Sequence, residues 1–513
     1  MNPRPIPALV IPVVFTAAFA ATALLPPVSA NVHATTAVLA AAGTLFVWTV
    51  VLLLTRRPLK FQFAAKKQHY IQACAQGAVL IYWGMYWPEV PAFAAFIAAQ
   101  LLFAYAFDIL LSWSRRGHCI LGFAQFPVIF SINLFLWFRP DWFYLQLLMI
   151  ALGLAAKEFI HWSSPGMPRD GRRCHIFNPS SLPLAVFSLV LLAAHASGIT
   201  WGQEIATTQF YPPQMYLMLF LIGLPGQFFF GVTSMTMSAV IATWLFGRLY
   251  FAATGIYFFY DSYIPISVFL GMHLLFNDPS TSPRTGTGRV IYGALYGLST
   301  VALYEFLGRA GQPAFYDKLL QVPLLNLSVK WIDGVARWLV RAPAPSLAPR
   351  LRNTASIAVW ACVFTALSIT QQVGDKHPGQ WLPFWRQACT DERPYACPYL
   401  ADLEDNFCDR GSGWACNEAG RLDIKLSRSG EDARRTDPAK ALEPFKRGCD
   451  LGSSDACRNL QTMTSGGALV SGPPTLKDYP IILRGSKGEI RQRTPAELYQ
   501  LACTEGWTAV CSH

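Results

Sequence analysis

Two short polar stretches interrupt long apolar runs, and they hold the residue types able to bind a ligand or move a proton. The first reads Phe177-Asn178-Pro179-Ser180-Ser181-Leu182-Pro183; the second, 99 residues on, reads Phe276-Asn277-Asp278-Pro279-Ser280-Thr281-Ser282-Pro283. Paired prolines stop the flanking helices. The carboxamides, carboxylate and hydroxyls then face surroundings in which polar groups persist only if paired or bound to something. A proline-fixed helix start with a hydroxyl cap would explain the first stretch alone. Two similar breaks in comparable positions suggest instead an internal duplication, with a site where the repeats meet. A third segment, Gly231-Val232-Thr233-Ser234-Met235-Thr236, opens a helix whose amides and hydroxyls suit an anion or a polar ring. Ordinary small-residue helix packing is its plain alternative.

Ionisable side chains inside apolar segments are costly unless paired or hydrated. Here they are Asp108, Lys157, Glu158, His161, His195, Asp261, His273 and Glu305. Glu158 and His161, three apart on one predicted helix, face the same way, and with Lys157 they are candidates for a proton or cation relay. His161 with His273 is a weaker candidate pair for haem. The plain alternative is packed polar groups near helix ends.

The elements that must position these residues follow from composition. Of 513 residues 53% are hydrophobic and 14% charged, with mean hydropathy +0.31. A soluble chain carries charge nearer a quarter of its residues, so this reads as an all-α polytopic membrane protein. The net charge of +11 is unevenly placed: residues 373–513 hold 18 basic and 19 acidic side chains, and the preceding residues 23 and 11. Most of that excess lies in short segments between apolar runs, including 56–67, 115–116, 169–173, 284–289 and 341–352. This is the bias of cytoplasmic loops and excludes a nucleic-acid surface. Predicted spans are 8–26, 35–55, 69–87, 92–113, 119–138, 142–162, 181–199, two within 215–250 split at Leu224-Pro225-Gly226, 263–276, 289–307, 319–340 and 354–371. The count is 10–13 helices in a bilayer, with a cytoplasmic N-terminus. Val28-Ser29-Ala30 resembles a signal-peptidase site, although the first span is long enough for a retained anchor.

The tail, 373–513, reads as a separate domain outside the cytoplasm. Its cysteines fall in four C-x7-C pairs: Cys389/Cys397, Cys408/Cys416, Cys449/Cys457 and Cys503/Cys511. Even numbers at repeated spacing predict disulfides in an oxidising compartment. Zinc is the alternative, but it favours closer cysteines with histidine, and the tail holds only His377 and His513. Around Phe445 to Leu460, and again at Tyr499 to Cys511, the chain resembles cysteine-rich Sel1-like helical repeats. That resemblance implies a disulfide across each helical hairpin and a concave face for a protein partner. First-cysteine spacings of 19, 41 and 54 residues depart from the regular period of such repeats.

The second polar break carries a wider resemblance. Asp278, Pro279, Thr281, Ser282, Pro283, Gly288, Arg289, Ile291, Tyr292, Gly293, Ala294 and Leu295 match, in order, the signature of the Nqr/Rnf membrane flavoprotein family. That family comprises a membrane component of the sodium-pumping NADH:quinone reductase and its counterpart in the Rnf complex. Lys157 and Phe177-Asn178-Pro179 match its lysine-bearing helix and Asn-Pro stretch. Thr233, Ser234 and Thr236 match a hydroxyl-rich motif near flavin, whose glutamate is absent here. The long N-terminal part and the tail look more like a divergent bacterial branch that includes the UnbU-type proteins. The resemblance implies a duplicated core over 91–340, flanked by N-terminal helices (1–90) and by a basic loop with a last helix (341–372). It implies FMN or riboflavin held by Asn178, Pro179, Thr233, Ser234, Thr236, Asn277, Asp278, Thr281 and Ser282. It also implies a covalent flavin on a threonine of a Ser-Gly-Ala-Thr motif, for which Ser197-Gly198-Ile199-Thr200 is the nearest match. The expected function is an electron-transfer subunit of a bacterial inner-membrane complex. No Rossmann fingerprint, P-loop or iron–sulfur cysteine pattern is present, so electrons must come through other membrane or periplasmic subunits. A channel or transporter on the same scaffold, and a membrane anchor acting through its tail, are the alternatives.

Overall fold

The computed structural model describes residues 10–162, 175–259, 262–340, 348–432, 434–483 and 492–512. Asp261, His513 and the basic segments 169–173 and 341–347 lie outside them. The chain forms two compact units: 1–210 with 215–243 and 266–363, and 211–214 with 244–265 and 364–513.

The first unit is helical. A bilayer core about 30 Å thick needs about 20 apolar residues of helix. Six helices among the described residues are long and apolar enough to cross a membrane: Val32–Leu54, Ala94–Arg116, Pro140–Phe159, Thr233–Thr254, Gly286–Arg309 and Arg350–Ile369. Their ends follow local chemistry. Asn31 caps Val32–Leu54 by accepting from the Ala34 amide at 2.9 Å, and Thr285 caps Gly286–Arg309 by accepting from Gly288 at 3.0 Å. Gly117 ends Ala94–Arg116 in the left-handed region, where a β-carbon would come within 2.8 Å of the Pro58 carbonyl.

Several predicted spans take other forms. The segment 119–138 is not one helix: His118–Leu121 is a strand, parallel to Lys60–Phe63 with Lys60 opposite His118, and only Gln125–Asn133 is helical. The strand pairing brings Gly122 so near the chain that a β-carbon would lie 2.2 Å from the Ala64 carbonyl. Ile266–Leu274 is equally short. Nine residues of helix span about 13 Å, so neither crosses a bilayer alone. The helix Met215–Phe230 runs straight through Pro225. The interruption falls instead at Gly231, at φ +64, where the Val232 amide donates back to Gln227 at 3.1 Å. Val322–Leu339 carries Lys330, Asp333 and Arg337, too polar a set for a plain lipid-facing span.

In the second unit, consecutive helices form hairpins. Leu382–Thr390, Ala396–Asp409 and Gly413–Ser429 follow one another, as do Leu442–Asp450 and Ser454–Ser465. Cys389–Cys397, Cys408–Cys416, Cys449–Cys457 and Cys503–Cys511 are disulfides, each across the turn between consecutive helical elements. Residues 244–265 belong to this unit. Tyr257 packs on His377 at 4.4 Å and on Phe384 at 4.8 Å between ring centroids, and Tyr399 donates to the Phe258 carbonyl at 3.3 Å.

Candidate functional site

The two polar breaks meet. Asn178 begins the first: its Oδ1 accepts from the Ser180 amide at 2.9 Å, the Ser180 hydroxyl at 2.7 Å and the Ser181 amide at 3.3 Å, starting the helix Ser181–Ala193. Its Nδ2 donates to the Leu275 carbonyl at 3.1 Å, at the head of the second break. That break is held from the other side by Phe276, whose ring stacks on Tyr296 at 4.2 Å. Asn277 donates to the His273 carbonyl. Asn326, 1% exposed, joins both breaks: it accepts from the Asn178 amide at 3.2 Å and donates to the Thr281 carbonyl at 3.3 Å and to the Tyr292 hydroxyl at 2.8 Å.

Between the breaks lies a cavity of about 70 Å³. Its wall takes Gln68, His69, Gln72 and Gln76 from the helix Lys67–Gly84, Ser131 from Gln125–Asn133, and Lys157 from Phe143–Phe159. His175, Asn178, Ser180, Asn277, Asp278 and Ser280 complete its polar lining. Both nine-residue helices contribute, and the Ser131 hydroxyl lies 3.5 Å from the Leu274 carbonyl. Asp278 Oδ1 accepts from Gln68 at 3.1 Å and from the Ser280 amide at 3.0 Å. Its Oδ2 lies 3.8 Å from His175 Nε2, the spacing of an ion pair and not of a hydrogen bond. Burial opposes ionisation of Asp278, but His175 and Ser280 together hold its carboxyl below the usual carboxylate range. The cavity holds several water-sized bodies or one small ion and is too small for a three-ring isoalloxazine.

The remaining sequence candidates separate. Lys157 lines the cavity, whereas Glu158 turns to Arg116 at 2.8 Å. The helix ends at Phe159, so His161 is not one helical turn beyond Glu158; it forms a β-bridge with His175. His273 sets its Nδ1 on the Phe269 carbonyl at 2.8 Å. Asp108 accepts from Gln125 at 2.8 Å, Glu305 pairs with Arg309, and His195 meets Gln312 at 3.1 Å. No cluster of three metal-ligating side chains occurs among the described residues.

The hydroxyls of Thr233 and Thr236 are buried without hydrogen-bond partners at the start of Thr233–Thr254; Ser234 is half-buried beside them. In the second break the Thr281 and Ser282 hydroxyls are likewise buried without partners. Thr200 is 1% exposed, donates its hydroxyl to the Ser197 carbonyl at 2.8 Å and pairs with Phe138.

Sequence reasoning missed Gln68, His69, Gln76, His175 and Asn326. Polar side chains in otherwise apolar segments were the only local signal for any of them.

No known protein family, curated protein or solved structure matches this chain.

Proposed function

We propose that the chain is a flavin-carrying electron-transfer protein of a bacterial inner membrane, with a duplicated core of the Nqr/Rnf kind over 91–340. In this reading 10–13 helical segments enter the bilayer, the N-terminus is cytoplasmic, and the Sel1-like tail, 373–513, lies in the periplasm and binds a protein partner. One observation supports the duplicated core in this reading: the two breaks that resemble the family's motifs close on each other around a polar cavity. Packing of unrelated helix ends gives no reason for that convergence.

The best-fitting flavin contacts are the buried, unpartnered hydroxyls of Thr233 and Thr236, where a helix start adds amides. The cavity itself does not fit the ring, and Thr200 does not fit a covalent link, because its hydroxyl is buried and already engaged. FMN or riboflavin bound non-covalently would supply the redox chemistry, with electrons entering and leaving through other subunits. The chain's own residues would orient the ring and exclude water.

The test is a visible spectrum of the detergent-solubilised protein, produced with its partners, followed by in-gel fluorescence. Flavin that washes out on denaturation is expected. A fluorescent band that survives the gel would restore the covalent link, and a colourless protein would end the redox reading.

A second reading, a channel or transporter on the same scaffold, is favoured by the cavity's size and by the two short helices that end at it.

A further inference from the structure

Among the described residues, Lys157 is the only lysine or arginine on the cavity wall, and no described carboxylate pairs with it. Glu158, next in sequence, is taken by Arg116 at 2.8 Å. Asp278, the only described carboxylate on the wall, is already met by Gln68, the Ser280 amide and His175. The helix that supplies Gln68 and His69 starts at Lys67 and follows Lys66, so the surrounding charge is further biased to positive. Two polar atoms on the wall are buried without hydrogen-bond partners: Gln76 Oε1 and His175 Nε2. Gln76 is 2% exposed, and its Nε2 is committed to Ser131 at 2.8 Å. An uncompensated ammonium beside unsatisfied polar atoms costs free energy that a bound anion offsets.

We propose that the cavity binds a small monovalent oxyanion, with Lys157 as its counter-ion. About 70 Å³ suits a body of about three to five heavy atoms, such as formate, hydrogencarbonate or dihydrogenphosphate. A ligand carrying an O–H places its negative oxygens at Lys157 and donates its proton to Gln76 Oε1. Asp278, the one acidic group of the described wall, has its Oδ1 engaged by Gln68 and the Ser280 amide. The inference rests on the cavity being a small-solute site, the second reading above, and is independent of flavin.

The test is equilibrium binding of radiolabelled formate and orthophosphate to the full-length protein in lipid nanodiscs at neutral pH, with radioactive sodium as the opposite-charge probe. At least one anion is expected to bind. Lys157→Gln should weaken it by about tenfold or more, the loss of one ion pair in a partly solvated site. Lys157→Arg, which keeps the charge and guards against a folding artefact, should retain binding. Sodium binding that Asp278→Asn abolishes and Lys157→Gln preserves would overturn the anion and keep the small-solute reading. Binding of neither ion to monodisperse protein would overturn both, leaving the flavin spectrum to decide the redox reading separately.

Discussion

The Asn178 amide donates across 3.2 Å to Asn326 Oδ1, so one buried carboxamide on the helix Val322–Leu339 fixes the start of the first polar break. The same side chain reaches the Thr281 carbonyl and the Tyr292 hydroxyl, and the two breaks therefore cannot shift independently.

Replacing Asn326 should accordingly be expensive. Asn326→Leu keeps most of the volume but leaves the Asn178 amide and Thr281 carbonyl buried without this partner, at about 1–3 kcal/mol for each unsatisfied group. The expected result is a clear fall in Tm of the detergent-solubilised protein. Ser328→Ala on the same helix removes only a local bond to Leu325 and should stay within about 0.5 kcal/mol of wild type. Equal Tm values for the two variants would refute the bridging role.

How much of this was legible beforehand depends on the range of each interaction. The echo between Phe177-Asn178-Pro179 and Phe276-Asn277-Asp278-Pro279 is local composition, and it located both walls of the cavity. The C-x7-C spacing matches a helical hairpin turn, and the four bridges follow it. Asn326 is a single carboxamide whose partners lie 148 and 45 residues away, and no local pattern announces such a pairing. Pro225 and Gly231 were competing punctuation marks. The chain breaks at Gly231, which takes the positive φ that proline cannot, while the missing amide of Pro225 is tolerated within the helix. His161 lies off the predicted helix face because the helix stops at Phe159, three residues short of the predicted end at 162.

The disulfides give a direct chemical prediction. Alkylating the denatured, unreduced protein should leave the eight cysteines of the four bridges unmodified and label Cys74, Cys119 and Cys362. Each bridge closes a nine-residue loop, worth about 2.5 kcal/mol on the chain-entropy account. A Cys449→Ala/Cys457→Ala double variant should therefore unfold its hairpin at lower temperature. Labelling of the eight bridge cysteines without reductant would contradict the bridges.

His377 should make the second unit sensitive to mild acid. The residue is 1% exposed; burial lowers its pKa to about 3, and its Nδ1 accepts from the Gly379 amide at 3.1 Å. A histidine whose folded pKa is depressed contributes stability that is full above its unfolded value, about 6.5. That stability is lost as pH falls toward the folded value, because the unfolded chain takes up the proton first. The slope approaches about 1.4 kcal/mol per pH unit below about pH 6. Tm of the full-length protein should fall faster between pH 6.5 and 4.5 than that of His377→Asn, which keeps an acceptor but cannot charge. Parallel curves would show that His377 does not titrate in this way.

Flavin placement separates two threonine sets. Thr233→Val and Thr236→Val replace buried hydroxyls that lack hydrogen-bond partners, so neither should destabilise the apoprotein by more than about 1 kcal/mol. If the proposed flavin contacts are right, both variants should lose bound flavin, read as absorbance per protein after gel filtration. Thr200→Val should retain it. Loss confined to Thr200→Val would place the cofactor at Thr200.

Gly153 decides whether the first break can sit where it does. A β-carbon at this position would lie 2.2 Å from the Pro179 carbonyl and 3.0 Å from the Pro183 ring, so the helix Phe143–Phe159 touches the break backbone directly. Gly43, inside Val32–Leu54, has nothing within 4 Å of its β-position. In an open helix site Gly→Ala gains about 1 kcal/mol from propensity. Gly43→Ala should therefore raise Tm, and Gly153→Ala should lower it, because the clash is with a carbonyl and a proline ring that cannot swing aside. Pro179 is in the cavity wall with Lys157, one helical turn beyond Gly153. The displacement should thus also weaken anion binding, whereas Gly43→Ala should not. A stabilising Gly153→Ala with binding intact would mean that the helix and the break are not in contact, and the geometry that joins the two polar stretches would have to be redrawn.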